Sequence, residues 1–336
     1  MEINKPKFWD NKIGLKSIIL LPISLIYNFL ILLKKKITIT KKIDLPIICV
    51  GNIYIGGTGK TPTSLLLSNE LEKLGRSPVI IRKLYKNHSD EYNLIRNYTE
   101  KLIIKKTRVE GALEAKRLNY DLAILDDGFQ DYSIKKDLSI ICFNSQQLIG
   151  NGLVLPSGPL RENLSSLKKA NIIIINGSKN KNFEEKLLNI NKNLKIFYSF
   201  YKPLNLEQFK DKNLLAIAGI GNPNNFFKLI EENNLKIGKK IIYPDHYSFS
   251  RSEIQSFVNK AEENNYQIIM TEKDYYKIKD FNIDKISYED QKVFDLMSTG
   301  KTVGLFQIES AGMREALIQM KPNHIEDIIA LVALYR

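Results

Sequence analysis

Cysteine is nearly absent from this chain. Only two cysteines occur in 336 residues, and both Cys49 and Cys142 lie within apolar stretches typical of buried strands. Cysteines in such stretches behave as small hydrophobic side chains, so the sequence argues against a disulfide framework and against a cysteine metal site. We therefore expect a protein of a reducing compartment.

Acidic side chains are also fewer than basic ones. The chain carries 37 aspartates and glutamates against 50 lysines and arginines, which gives a net charge of +13. Because 43% of the residues are hydrophobic and 26% are charged, the composition is that of a globular protein. The basic balance predicts an acidic partner such as nucleic acid, anionic lipid or a phosphorylated substrate. The lysines lack neighbouring aromatic residues that would stack on bases, so we expect no specific nucleic-acid binding.

Long hydrophobic runs are missing except for one at residues 17–33. This run lies at the lower limit of the roughly 17–25 residues that span a bilayer, and lysines flank it on both sides, which favours no spanning orientation. Ser17, Ser24 and Asn28 fall on one narrow stripe of a helix. We therefore predict a helix that lies at the cytoplasmic membrane interface, with its lysines on anionic headgroups. The alternative is a buried helix that packs on the domain, whereas a cleaved signal peptide is disfavoured because no small-residue cleavage site follows.

Residues 47–62 have the pattern of a strand, a glycine-rich turn and the first turn of a helix. The glycines let backbone N–H groups converge on phosphate oxygens, and the helix N-terminus adds its positive end. Lys60 would contact the β- and γ-phosphates, and the Thr61 hydroxyl is placed to hold Mg²⁺. Tyr54 stands where the phosphate-loop consensus has its first glycine, and the alternative interpretation is a glycine turn without a ligand. The predicted nucleotide-binding residues are Gly56, Gly57, Thr58, Gly59, Lys60 and Thr61.

A second apolar stretch, at residues 122–125, follows Asp121 and ends in Asp126 and Asp127. In a parallel sheet these carboxylates would emerge at the carboxyl edge of the strand, where Mg²⁺ and the γ-phosphate lie. The pair therefore predicts the other half of a magnesium site. The alternative is an ordinary Asp-Asp-Gly turn after a strand.

Strands and helices alternate through most of the chain. This predicts an α/β protein with a P-loop NTPase-type, mainly parallel sheet, a second, smaller α/β domain and an N-terminal apolar helix. We expect the polar stretch 82–100 to be an exposed functional loop, and Ser250 and Glu253 to form a capping box. The Gly219-Ile220-Gly221 pattern alone is too weak to indicate a second nucleotide site. The predicted divisions are a membrane-associated helix at 1–36, a P-loop core at 37–202, a smaller lobe at 203–287 and a tail at 288–336.

Taken together, the ordered motifs of residues 6–285 resemble the tetraacyldisaccharide 4′-kinase family. The matching segments are Pro6–Trp9, Val50–Pro62, Asp126–Gln130, Leu155–Glu162, Ala218–Phe227, Pro244–His246 and Thr271–Asp274. The resemblance implies transfer of phosphate from ATP, with Mg²⁺, to the 4′-hydroxyl of a tetraacylated disaccharide 1-phosphate. It also implies an enzyme at the cytoplasmic face of a Gram-negative inner membrane, with anionic lipid as its surroundings.

The same resemblance implies roles for particular side chains. Asp90 corresponds to the family's candidate base, and His246 to its partner from the second lobe, with Lys60 as the third catalytic residue. Ser89 replaces a family glycine, and the preceding residues 82–85 also depart from the family pattern. Contacts to the lipid substrate are implied for Gln130, Arg161 and Glu162.

The tail from about residue 288 resembles a different family, the bacterial DNA polymerase III α-subunit. The similar segments are 300–310 and 326–336, and they lack the polymerase's paired metal-binding aspartates. We therefore predict a kinase whose last segment is a polymerase fragment, without polymerase activity. Two alternatives stay open: a membrane-recruited P-loop ATPase or GTPase switch, for which a guanine-specifying Asn-Lys-x-Asp segment is missing, and a non-catalytic replication-associated protein.

Overall fold

The computed structural model describes residues 6–85, 89–203, 206–245, 247–278, 291–302, 308 and 310–334. The chain divides into two compact units, Met1–Ile278 and Lys279–Arg336, which are described separately. The strands of the first unit are β1 (Ile47–Gly51), β2 (Pro78–Lys83), β3 (Leu102–Lys105), β4 (Leu122–Asp126), β5 (Leu138–Asn144), β6 (Ile172–Asn176), β7 (Lys195–Ser199), β8 (Asn213–Ala218), β9 (Lys236–Ile242) and β10 (Tyr266–Met270). Its helices are α1 (Leu15–Ile37), α2 (Lys60–Lys73), α3 (Ser89–Tyr98), α4 (Arg108–Arg117), α5 (Lys181–Ile190), α6 (Pro223–Glu232), α7 (Arg251–Glu263) and α8 (Glu272–Tyr275).

The larger sheet has seven strands in the order β3-β2-β4-β1-β5-β6-β7, and each neighbouring pair is parallel. Strand β1 lies in the middle, where its residue Val50 is in register with Asp126 of β4. Central strands of a parallel sheet are covered on both faces, which explains why their sequences are almost uninterrupted apolar runs. The predicted α/β fold with a mainly parallel sheet is confirmed.

Two hydrophobic clusters cover the two faces of this sheet. One contains Cys49, Ile81, Leu125 and Phe143, and the other contains Val50, Ile80, Ile124 and Cys142. Successive residues of a strand point to opposite faces, so neighbouring positions such as Cys49 and Val50 enter different clusters. Both cysteines are fully buried and free, as predicted, and burial raises the pKa of Cys49 to about 11.

A smaller sheet has three parallel strands in the order β10-β8-β9. It has its own apolar clusters on both faces, one around Phe227 and the other around Phe249 and Phe257. Helix α7 begins with the predicted capping box, in which the Ser250 side chain accepts from the Glu253 N–H and the Glu253 side chain accepts from the Ser250 N–H.

Helix α1 contacts the protein through its polar stripe and exposes its apolar side chains. Ser24 donates to the Val154 carbonyl at 3.0 Å and accepts from the Ser157 N–H at 2.9 Å, and Asn151 donates to Ser17 at 3.2 Å. By contrast, Leu15 is 73% exposed and Phe29 is 62% exposed. The helix is therefore not a buried core helix, and by length and composition alone it could cross a membrane.

The predicted exposed loop at 82–100 is wrong. Strand β2 continues through Arg82 to Lys83, and α3 occupies 89–98. Arg82 is buried, and Tyr92 and Ile95 on α3 are buried as well. Their spacing of three residues is a helical signal, which the many polar residues around it conceal.

The second unit consists of short helices around a small core in its described residues. The helices are α9 (Gln291–Ser298), α10 (Ala311–Met320) and α11 (Ile325–Leu334). Their buried side chains include Phe294, Met313, Leu317 and Ile328. The Thr302 hydroxyl donates to the Ile308 carbonyl at 2.6 Å, which ties the segment before α10 to this core.

Candidate active site

The phosphate loop lies between β1 and α2, at the carboxyl edge of the larger sheet. Gly56 and Gly59 have φ values of 108° and 88°, in the left-handed region that glycine enters without steric cost. In the described chain no side chain caps the N-terminus of α2, so the N–H groups of its first turn are left without a side-chain acceptor. Tyr54 has no positive φ, which explains why this position tolerates a side chain; the side chain is buried and its hydroxyl donates to Asp10 at 3.1 Å.

The side-chain amides of two asparagines hydrogen-bond to the phosphate loop and stabilise its conformation. Asn52 donates its amide to the Gly56 carbonyl at 3.2 Å and to the Thr58 hydroxyl at 3.0 Å. Asn176, at the end of β6, donates to the Thr58 carbonyl at 2.6 Å. A Cβ at Gly59 would collide with the Asn176 amide, so this glycine is required both by its backbone angle and by the close approach of β6.

Asp126 is fully buried at the end of β4 and is surrounded by donors. Thr61 donates to its Oδ2 at 3.0 Å, Ser64 donates to its Oδ1 at 3.2 Å, and Arg82 donates to its Oδ2 at 2.8 Å. The hydroxyl of the phosphate loop and the carboxylate of β4 therefore meet, as the two motifs predict. Oxygen ligands of these two kinds are what Mg²⁺ prefers beside a nucleotide.

Arg82 is a buried cation that links this carboxylate to α3. One of its terminal nitrogens contacts Asp126 and the other contacts Glu91. Burial works against the charged form, but Asp126 and Glu91 outweigh it and raise the pKa of Arg82. The guanidinium is therefore permanently charged and fixes the orientation of Asp126.

Asp127 faces the cleft and is held by two cations. Arg161 donates to its two carboxylate oxygens at 2.9 and 3.1 Å, and the Lys60 ammonium lies 3.6 Å away. Burial alone would raise the pKa of Asp127, but Lys60 and Arg161 lower it well below its ordinary range. Arg108 donates to the backbone carbonyl of Asp127 at 2.7 Å, which supports the left-handed backbone of this residue at φ 54°.

The small lobe contributes a second set of charges to the same region. Lys273, the second residue of α8, lies 3.2 Å from Glu91 of α3 and 3.0 Å from Asp245. Next to it, Glu272 accepts a hydrogen bond from the Tyr98 hydroxyl at 2.7 Å. A continuous chain of alternating charge thus runs from Asp126 through Arg82, Glu91 and Lys273 to Asp245.

A cleft of about 1060 Å³ lies between the two lobes above the phosphate loop. Its walls include Lys60, Thr61 and Asp127 from the larger lobe, and Gly221 and Asp245 from the smaller one. A Cβ at Gly221 would lie 3.0 Å from the Gly57 nitrogen, so the two glycine turns approach each other closely. This volume is sufficient for a nucleotide-sized ligand.

The structure separates the residues predicted to contact substrate. Arg161 lines the cleft, whereas its neighbour Glu162 is buried on the other side of the backbone and lines a smaller cavity. Gln130 donates to the Asn52 carbonyl at 2.8 Å and so supports the base of the phosphate loop. The Asp90 side chain and His246 lie outside the described residues.

The sequence interpretation missed three residues of this site. Arg82, Asn52 and Asn176 are polar residues within or directly after buried strands. Burial of a polar side chain without a hydrogen-bond partner costs free energy. A polar residue in a buried strand therefore indicates that a partner is present. Their partners are distant in sequence, so the pattern could mark these residues without saying what they bind.

Comparison with known proteins gives two family matches. The model described as "Tetraacyldisaccharide-1-P 4'-kinase" matches residues 16–98 and 86–294. The model described as "Bacterial DNA polymerase III alpha subunit finger domain" matches residues 262–336, so the two matches overlap at 262–294.

Several curated relatives are similar over most of the chain, and each carries the name tetraacyldisaccharide 4′-kinase. The protein from Pelagibacter ubique is 40% identical over 292 residues, which is 86% of this chain and 92% of the relative. The protein from Rickettsia canadensis is 35% identical, over 82% of this chain and 89% of the relative. A crystal structure of LpxK from Aquifex aeolicus in complex with ATP matches with a TM-score of 0.59 at 23% identity, over 79% of this chain and 91% of that one, and supports the same fold.

Proposed function

The chain belongs to the tetraacyldisaccharide-1-P 4′-kinase family, and we propose that it transfers the γ-phosphoryl group of ATP to the 4′-hydroxyl of a tetraacyldisaccharide 1-phosphate. The observation that carries this proposal is the meeting of Thr61, Asp126 and Lys60 beside the Asp127–Arg161 pair, in a cleft lined by both lobes. Phosphoryl transfer requires positioning and charge neutralisation more than covalent chemistry, and this arrangement supplies both.

Neutralisation of the phosphates is assigned to the phosphate loop and Lys60. The uncapped N–H groups of α2 would donate to phosphate oxygens, and the helix dipole adds positive potential there. Lys60 lies 3.6 Å from Asp127, so phosphate oxygens and Asp127 compete for the same ammonium. Arg161 holds Asp127 in place during this competition because it binds both carboxylate oxygens.

Magnesium fits the residues at this edge of the sheet. Thr61 and Asp126 offer a hydroxyl and a carboxylate oxygen 3.0 Å apart, and the ion usually takes few protein oxygens together with substrate phosphates. When bound, it would neutralise charge on the transferring phosphate. Asp126 and Asp127 are both candidate ligands: Asp126 is buried and contacts Thr61, Ser64 and Arg82, whereas Asp127 lines the cleft and binds Arg161 and Lys60.

Activation of the acceptor hydroxyl is assigned to Asp90, with His246 as its partner. Their sequence neighbours Glu91 and Asp245 both contact Lys273, at 3.2 and 3.0 Å, which supports a meeting of the two segments. A carboxylate paired with an imidazole is suited to accept a proton near neutral pH. Arg161, Glu162 and Gln130 are the candidate contacts to the lipid acceptor.

The enzyme is proposed to work at the cytoplasmic face of a Gram-negative inner membrane. Supporting this, α1 exposes a continuous set of apolar side chains while its serine stripe binds the protein. A set of this kind on a helix rich in flanking lysines is suited to anionic lipid surfaces. The outer face of α1 would then lie in the bilayer in which the acylated acceptor is dissolved.

The test is transfer of labelled phosphate. The full chain is incubated with γ-labelled ATP, Mg²⁺ and tetraacyldisaccharide 1-phosphate in neutral detergent micelles, and the product is analysed by mass spectrometry for phosphate at the 4′ position. We expect a labelled bisphosphorylated lipid. Hydrolysis of ATP by a folded chain without labelling of the lipid would refute the kinase and favour an ATPase switch.

A further inference from the structure

A second cavity, of about 300 Å³, lies beside the end of α1 and away from the phosphate loop. We call it the lysine cavity, because Lys35, Lys136 and Lys169 line it together with Tyr132 and Glu162. Its lysines come from three separate parts of the chain: the end of α1, the segment before β5 and the segment before β6. A cluster gathered from three elements is a feature of the fold and not of local composition.

The three ammonium groups form no direct ion pair within the described residues, although the charge of Glu162 acts on both Lys136 and Lys169. Lys136 donates to the Phe129 carbonyl at 2.7 Å, and Lys169 lies 4.9 Å from the centre of the Tyr132 ring. The ion pairs of the described chain include none of Lys35, Lys136 and Lys169. Burial, and then the nearby Lys35, lower the pKa of Lys169 to about 8. Like charges held this close favour binding of an anion between them.

The two carboxylates that line the cavity, Asp131 and Glu162, differ in their hydrogen-bond partners. Asp131 is occupied, since Arg108 donates to it at 3.2 Å and the Ser133 hydroxyl at 2.6 Å. Glu162 is only 5% exposed and lies next to the Tyr132 hydroxyl, whose pKa is raised by burial and then by the charge of this carboxylate and a hydrogen bond to it. A carboxylate accepts at two oxygens, so Glu162 can accept from a sugar hydroxyl as well as from Tyr132. The cavity thus combines sites for an anion with a site for a hydroxyl.

The position of the cavity relates it to the active site. Glu162 follows directly after Arg161, which binds Asp127 in the cleft, so consecutive residues face the two sites. Lys35 stands at the end of the helix whose apolar face is exposed. A ligand that reaches both sites would be a lipid whose polar headgroup has at least two units, one for the cleft and one for the lysine cavity.

We propose that the lysine cavity binds the phosphomonoester that the glycolipid acceptor already carries. This phosphate is on the sugar other than the one that receives the γ-phosphoryl group in the cleft beside Asp127. This assignment rests on the proposed kinase function and names the subsite for the acceptor's own phosphate. The lysines bind the phosphate oxygens by charge-assisted hydrogen bonds, and Glu162 accepts from a hydroxyl of the same sugar. Recognition of this phosphate would make the enzyme specific for a phosphorylated acceptor.

The experiment compares two acceptors on the full chain: the tetraacyldisaccharide 1-phosphate and the same glycolipid without its phosphate. In Lys169→Ala and Lys35→Ala chains we expect KM for the phosphorylated acceptor to rise roughly 10- to 100-fold, as expected for loss of a hydrogen bond to a charged group, with kcat nearly unchanged. KM for the unphosphorylated acceptor should stay at the wild-type value. Lys169→Arg should retain most of the affinity, and Lys168→Ala, which alters an exposed lysine outside the cavity, should change neither constant.

Binding without ATP separates this proposal from the kinase proposal. Equilibrium binding of both acceptors in neutral detergent micelles should show the same loss for Lys169→Ala even if no phosphate is transferred. Flotation with phosphatidylcholine vesicles that contain phosphatidic acid tests the other source of a lipid phosphate. Weaker flotation together with an equal effect on both acceptors would assign the cavity to a bilayer headgroup and overturn the proposal, and so would unchanged binding of the phosphorylated acceptor.

Discussion

Two strands of this chain end in a glycine turn that leads into a helix, and only one of the turns is arranged for a nucleotide. Strand β1 continues through Gly56 and Gly59 into α2, and β8 continues through Gly219 and Gly221 into α6. In both cases the strand is buried and parallel to its neighbours. The local sequence pattern is therefore similar, and the difference lies in what surrounds the turn.

The turn of the small lobe already has an anion, which the chain itself supplies. The Gly219 N–H donates to Asp274 at 3.0 Å, and the buried Lys277 contacts both Asp274, at 2.7 Å, and the Gly219 carbonyl. In the larger lobe Lys60 stands next to the turn. Side-chain caps do not distinguish the two helices, since neither α2 nor α6 has one in the described chain. The two turns thus differ in the buried Asp274–Lys277 pair, which binds the N–H and the carbonyl of Gly219 in the small lobe.

We call the glycine turn between β1 and α2 the open turn. Replacement of Lys60 beside it should cause the largest loss of activity. Lys60→Ala removes the cation assigned to the transferring phosphate, so we expect kcat to fall about a thousandfold, in the range for loss of one donor to developing charge. The measurement is single-turnover transfer of labelled phosphate, with circular dichroism as the check on folding. Lys73→Ala, at the exposed far end of the same helix, is the matched control and should keep full activity. A folded Lys60→Ala chain with normal kcat would contradict the assignment.

We call the glycine turn between β8 and α6 the filled turn, because Asp274 accepts from its Gly219 N–H. Replacement of Asp274 should destabilise this turn and the small lobe around it. Asp274→Ala leaves Lys277 buried without its carboxylate, which typically costs about 3–5 kcal/mol of the free energy of unfolding. Denaturant titration followed by tyrosine fluorescence measures this loss. The double variant Asp274→Ala with Lys277→Met removes both charges and should recover much of the stability. No difference between the single and double variants would show that the buried pair does not determine the stability of this lobe.

The contact between the lobes should have an intermediate effect. Lys273→Met removes the ammonium that joins Glu91 to Asp245, so the small lobe should be positioned less well above the open turn. We expect kcat/KM for the acceptor to fall roughly tenfold, or about 1.4 kcal/mol. Lys273→Arg keeps the charge and should recover part of the loss, whereas Lys260→Met on α7 should be neutral. Equal losses for the methionine and arginine variants would argue against a charge-based contact.

The smallest effect is expected where the two turns meet. Gly221→Ala would place a Cβ 3.0 Å from the Gly57 nitrogen and 3.0 Å from an oxygen of Asp245. Because these neighbours must shift by a few tenths of an ångström, we expect KM for ATP to rise about threefold, or about 0.7 kcal/mol. Steady-state kinetics at saturating acceptor measures this change. An unchanged KM would show that the turns separate freely when nucleotide binds.

The sequence predicted the open turn well because its signals are local. Three glycines, Lys60 and Thr61 stand within a few residues of a β-branched strand, and the pairing of β1 with β4 brings Asp126 to them. Arg82 and Lys273 were not predicted, since their roles depend on Glu91, Asp126 and Asp245, which only tertiary structure brings close. The serine stripe of α1 was predicted on one face, but only the structure shows that this face contacts residues 151–157.

That contact has a kinetic consequence. The segment that accepts α1 at Ser157 continues within four residues to Arg161, which binds Asp127. If α1 lies in a bilayer, as proposed above, the depth of the helix and the height of the reacting group are therefore set together. An enzyme fixed in this way searches for its acceptor in two dimensions, and its rate should follow the mole fraction of acceptor in the membrane. Dilution of the acceptor with inert lipid would slow such an enzyme, while dilution of the whole suspension with buffer would not.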